Sequence, residues 1–118
     1  MRNIAASMTE AQILDRSKDV TRRMGWLKLK AGDRLQVCRK CMGRKPGEPL
    51  VKLAVVEVVS VRRERLDRMH TDGEYGNDEV RREGFPEWTP QEFIRFFYKG
   101  HKGCKPDSLI TRIEFRYL

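Results

Sequence analysis

The strongest constraint on the fold is the valine-rich run over residues 50–63, where Val51, Leu53 and Val55 alternate on one face before the apolar set moves to Val56 and Val58. Alternation with a period of two is the pattern of a strand with a buried face. A slip of one position within it predicts a β-bulge, the device by which a strand bends around a small barrel. At the C-terminus, Leu109, Thr111, Ile113, Phe115 and Tyr117 alternate against Arg112, Glu114 and Arg116, which predicts a half-buried antiparallel strand. Lys30-Ala-Gly-Asp33 is a turn signal leading into a further strand, Arg34 to Arg39. Gly43 to Pro49 holds two glycines and two prolines and predicts an exposed loop.

Short helices fall between these strands. Thr9-Glu-Ala-Gln12 reads as a capping box ahead of Ile13 and Leu14. Asn77 is placed to cap a helix through Glu83 that Gly84 ends. Thr89-Pro-Gln-Glu92 is a second capping box, with Pro90 at the favoured first helical position. Phe93, Phe96 and Phe97 follow at i, i+3 and i+4, predicting one buried stripe rather than a base-stacking platform. The 118 residues suit a single α+β domain with one core, a small mixed or antiparallel β-barrel flanked by two or three short helices.

The net charge of +8 is unevenly spread: residues 1–68 hold 17 Lys and Arg against 8 Asp and Glu, and the remainder 8 against 9. Such a basic segment attracts phosphate-bearing partners, and an acidic protein surface is the alternative partner. No stretch approaches the roughly 18 apolar residues of a membrane span, and no basic amphipathic helix points to a membrane surface. The start, Met1 to Met8, is too weakly apolar for a secretory signal, so a cytoplasmic location is expected. An odd cysteine count, three, fits that expectation.

Chemistry concentrates between Arg16 and Trp26. In an extended segment Thr21 and Arg23 share one face and Arg22 takes the other, while Lys18 reaches the Thr21 hydroxyl only through a bend. Arg22 and Arg23 are candidate ligand donors. Lys18, crowded by Arg16, Arg22 and Arg23, is placed to lose its proton and serve as base to Thr21, whereas Asp19 beside it favours the ammonium form. Trp26 is a candidate for stacking on a base, and Arg62 and Arg63 extend the basic surface. Cys38-Arg-Lys-Cys41 and His101-Lys-Gly-Cys104 supply four ligand types suited to a structural zinc, the alternative being ordinary small buried side chains. No other cofactor is indicated, and His70 has no partner in view.

Lys18-x-x-Thr21-x-Arg23, the Lys30–Asp33 turn, the valine-rich strand, Glu83-Gly-Phe-Pro86, the helix from Thr89 and the terminal run Thr111 to Leu118 together resemble the ASCH domain family, in particular small ASCH proteins of bacteriophages and prophages. The resemblance spans nearly the whole chain. It implies a PUA-like β-barrel with a cleft used for RNA or nucleotide recognition. One ASCH branch hydrolyses the acyl amide of N4-acetylcytidine with a lysine, a threonine and a glutamate. Its Lys-x-x-Thr falls here on Lys18 and Thr21, with Glu83, or Glu79 four residues earlier, as the glutamate.

Overall fold

A computed structural model describes all 118 residues. Five strands form one sheet: β1 (Arg2–Ala5), β2 (Val20–Arg23), β3 (Arg34–Cys38), β4 (Lys52–Arg65) and β5 (Leu109–Tyr117). Their order is β1-β3-β4-β5-β2. Only β1 and β3 run parallel; every other pairing is antiparallel. The sheet curls into a half-barrel whose edge strands, β1 and β2, do not pair. Where their ends converge, the Arg23 guanidinium spans the seam and donates through Nη2 to the Ala5 carbonyl at 2.6 Å. The predicted barrel is therefore left open along one line, and a side chain takes the place of the missing ladder.

The long strand β4 bends as its sequence predicts, but three residues later. Its register against β5 slips between Val58 and Ser60, leaving Val59 as the exposed extra residue. A second irregularity, between Val37 and Cys38 of β3, adds to the curl. Bulges redirect the pleat, so Val56 and Val58 before the slip and Val61 after it all turn toward the concave core.

β5 serves two sides of the sheet. Ile113 and Phe115 pack in the half-barrel with Ile4, Leu35, Val37, Val56 and Val58. On the opposite face Ile110 joins Leu66, Met69, Val80, Phe93, Ile94 and Phe97 beneath the helices. The strand is therefore buried on both faces over Ile110 to Ile113 rather than half-buried, and the expected single core is two apolar clusters with the sheet between them.

Four α-helices and a 3-10 turn (Ser7–Thr9) flank the sheet: α1 (Glu10–Leu14), α2 (Arg68–Thr71), α3 (Gly73–Arg82) and α4 (Pro90–Gly100). The capping box of α4 forms in full, with Pro90 at its first position. That of α1 does not: Thr9 makes no cap bond, and Gln12 instead donates to the Gly84 carbonyl at 3.1 Å. This longer-range bond ties α1 to the end of α3. Asp72, not Asn77, caps α3, accepting from the Tyr75 amide. Gly84, at φ 102°, ends that helix in the left-handed region as the sequence indicates.

Gly76 of α3 lies against the short helix α2. A methyl group there would run into the Met69 carbonyl and press on the Pro90 ring. Backbone cannot yield as a flexible side chain can. Gly76→Ala is expected to lower stability by about 2 kcal/mol despite alanine's better helix propensity. Thermal unfolding of the two proteins checks this.

Candidate functional site

The open seam of the half-barrel holds a pocket. β1 ends at Ala5, and β2 carries Thr21, Arg22 and Arg23. Between them lies a space of about 220 Å³ bordered by these residues, Ala6, Met8, Lys18 and Glu83, and closed on the far side by Phe85, Phe93, Phe96, Phe97 and His101. A seam without ladder hydrogen bonds is where a curled sheet can admit a ligand, because nothing must be unpaired to make room. Phe93 and Phe97 are buried as predicted, whereas Phe96 is 38% exposed at the rim.

Lys18 sits just ahead of β2 and is almost sealed, its side chain 4% exposed. Its ammonium donates to the Glu83 carbonyl oxygen at 2.6 Å and to Glu83 Oε1 at 2.9 Å. Burial pushes the Lys18 ammonium below a lysine's ordinary 10.5; Glu83 opposes this, and Arg23 and Arg22 add to the lowering. Asp19, expected to favour the ammonium form, is not among the main causes. Its carboxylate turns outward to Arg82, at 2.9 and 3.2 Å. The Thr21 hydroxyl oxygen accepts from Arg23 Nε at 3.1 Å. No direct bond joins Lys18 to Thr21, so the lysine is held by Glu83 and the threonine by Arg23, side by side in one pocket.

No family model matches the sequence, and no curated protein does. Solved structures do. An ASCH domain from Lactobacillus crispatus aligns at a TM-score of 0.62 and 15% identity, covering 98% of this chain and 78% of that one. A protein of Enterococcus faecalis V583 aligns at 0.60 and 14%, covering 99% and 78%. A mutant form of the ASCH protein of Zymomonas mobilis aligns at 0.55 and 14%, covering 97% and 66%. This chain has the ASCH-domain fold.

Within that ASCH fold the residues singled out in the sequence divide into separate places. Lys18, Thr21, Arg23 and Glu83 meet at the seam. Trp26, Arg62 and Arg63 share a different, open groove of about 470 Å³ with Leu27, Lys30 and Val59. There Arg2 lies over the Trp26 ring at 4.0 Å, while Arg62 is engaged by Glu64 and Tyr75. The four zinc candidates are not assembled: no group of three or more His, Cys, Asp or Glu stands where it could hold a metal. Cys38 and Cys41 lie at the end of β3, Cys104 is in the helical cluster, and His101 faces the seam pocket. The contributions of Ala5, Ala6 and Met8 have no sequence signal, since nothing in a short apolar N-terminus marks it as the lip of a pocket.

Arg22 borders the pocket, but its guanidinium is fully sealed on the other face of β2. It bonds Glu83 Oε2 at 3.1 Å, Glu79 Oε1 at 2.6 Å and Glu64 Oε2 at 3.3 Å. Its Nε alone has no partner. Glu79 is thus not a substitute for Glu83 at the pocket; it is held between Arg22 and Arg112. Burial would raise the Glu79 carboxyl, but bonds and charge from Arg112 and Arg22 overcome it and bring it from 4.5 to about 2. A depressed folded value contributes stability that is present above about 4.5 and lost as pH falls toward 2. Glu79→Ala, which strands two buried arginines, is expected to cost about 3 kcal/mol or more in urea unfolding at neutral pH. Glu79→Gln is expected to flatten the loss of stability seen as the wild type is acidified.

Proposed function

We propose that the seam pocket hydrolyses the acyl amide of an N4-acylated cytidine. The observation that carries this reading is the meeting of Lys18, Thr21 and Glu83 in one small pocket, with the lysine buried and biased toward its neutral form. These are the residue types of the amidohydrolases that the sequence resembles, with Lys18 and Thr21 at the matching spacing.

In this mechanism neutral Lys18 takes the Thr21 hydroxyl proton as the oxygen attacks the acyl carbon. The C–N bond breaks, the proton passes from Lys18 to the departing N4 amine, and an acyl ester is left on Thr21. Water then adds to the ester carbonyl with Lys18 again as base, releasing the carboxylic acid and restoring the hydroxyl. Glu83 positions Lys18 through the two bonds it accepts, and its second carboxylate oxygen is fixed by Arg22. Arg23, half-buried and bonded to Thr21, offers positive charge where the carbonyl oxygen becomes negative.

A second reading, binding of single-stranded RNA, draws on a different observation: Trp26 and the cations Lys30 and Arg63 line one open groove away from the seam. Aromatic stacking with neighbouring cations suits an unpaired base and its phosphate. The seam itself is a poor RNA cleft, because Arg22 is consumed by carboxylates.

Hydrolysis of N4-acetylcytidine followed by ultraviolet absorbance tests the first reading. The wild type is expected to turn over, and Thr21→Ala to lose about a thousandfold or more in rate. The rate should climb with pH through a value below lysine's ordinary 10.5, because only the neutral amine accepts the proton. Absence of turnover in the wild type, with RNA retained by the protein at moderate salt and released by Trp26→Ala, would replace this reading with the second.

A further inference from the structure

We infer that His101 is a ligand-recognising residue of the seam pocket, presenting Nε2 as a hydrogen-bond acceptor to an N–H or O–H group of the bound nucleoside. The inference rests on the proposed nucleoside pocket and adds a residue that the Lys18, Thr21 and Glu83 set does not contain.

His101 is the first residue beyond α4, and its ring turns back on the helix. Nδ1 lies 2.8 Å from the Phe97 carbonyl oxygen. A carbonyl only accepts, so Nδ1 carries the hydrogen, and in the neutral ring the lone pair is on Nε2. The ring also stacks on Phe97, with centroids 4.2 Å apart and planes 24° from parallel. Two contacts thus fix both tautomer and orientation. Nε2 makes no bond within the protein and is not sealed from solvent, while the residue lines the same pocket as Lys18 and Thr21.

On its aromatic side the pocket has no acceptor other than His101. Its polar wall is already engaged: one Glu83 oxygen takes Lys18, the other Arg22, and the Thr21 oxygen takes Arg23. The remaining walls are Ser7, Met8, Thr9 and alanines at the lip of β1, and phenylalanines on the side of His101. An N4-acylated cytidine carries donors, the amide N–H and the ribose hydroxyls, and a buried donor without a partner weakens binding. Nε2 meets that demand from the aromatic side. Capping of Phe97 alone would not require histidine, since an asparagine can donate to the same carbonyl.

The experiment compares wild type, His101→Phe, His101→Asn and His101→Gln on N4-acetylcytidine and on N4-acetylcytosine, together with cytidine binding to each. His101→Phe keeps the stack and His101→Asn keeps the bond to Phe97, yet both are expected to raise KM about tenfold with kcat nearly unchanged. His101→Gln, whose amide oxygen reaches the Nε2 position, should recover most of the loss. A KM effect that persists on the free base identifies the amide N–H as the donor, and one that vanishes identifies the ribose. In ¹⁵N spectra of the imidazole, His101 should be hydrogenated at Nδ1, with the Nε2 signal moving when cytidine is added. Turnover unchanged in both His101→Phe and His101→Asn, or hydrogen found on Nε2, overturns the inference and leaves the hydrolase reading standing. If the wild type does not turn over, cytidine affinity decides: a tenfold loss in both variants keeps the role of His101, and equal affinity removes it.

Discussion

The structure depends on how it neutralises a row of arginines laid directly across three strands. Arg22 of β2 is opposite Arg112 of β5, which is opposite Arg62 of β4. Like charges side by side on one face of a sheet repel, and two of these three are buried. Helix α3 and the end of β4 answer them: Glu79 bonds both Arg112 and Arg22, Glu64 bonds Arg62 and Arg22, and the Tyr75 hydroxyl sits among them. Taking these ions from water is costly, and such a cluster is tolerable only when its charges and donors are matched. Matching is nearly complete here, with Arg22 Nε the exception. The consequence is a single permitted seat for α3 on the sheet, because a shift by one turn would strand several buried charges at once.

That fixed seat is what delivers Glu83 to the pocket. Glu83 follows the last turn of α3, and its carboxylate is shared between Arg22 on the helical side and Lys18 at the seam. The network therefore extends from the back of the sheet into the pocket. Glu83 does two things to the lysine: it holds the amine in place, and its charge partly offsets the burial that would otherwise lower the amine's proton affinity further. Placement and proton affinity of this amine are thus both influenced by one carboxylate. Arg23 completes the arrangement from the opposite edge, joining Ala5 across the seam while bonding Thr21.

The strands were legible where alternation persists over many residues, as in Leu109 to Tyr117 and the valine run. Periodicity showed that β4 bends but misplaced the bend, since an apolar slip registers where side chains change face, not where the ladder skips a residue. β1 was not legible at all: four residues with one buried side chain carry no pattern, and their strand character comes from pairing with β3. The same limit affects α1, where the sequence of a capping box is present but Gln12 is drawn to Gly84, a contact 72 residues distant. The seam residues were legible as a cluster because Lys18, Thr21 and Arg23 are close in sequence. Their separation from Trp26, Arg62 and Arg63 was not, because which side of a curled sheet a residue meets is decided by curvature.

Arg22 and Arg23 show why net charge is a poor guide to a cleft. Neighbours in an extended strand face opposite ways, so two adjacent guanidiniums were certain to enter different environments. Arg22 goes to the carboxylates and its charge is cancelled; Arg23 goes to the seam, and burial lowers its hold on the proton. Part of the basic excess that the sequence assigns to its first half is spent in the same way, Arg22 and Lys18 being matched by Glu79 and Glu83 from the second half. What remains at the seam is less positive than the net charge of the chain suggests. It is a small pocket lined by the buried Lys18 amine, the Arg23 guanidinium, the Ser7, Thr9 and Thr21 hydroxyls and an aromatic wall, so of two adjacent arginines only one guanidinium reaches it.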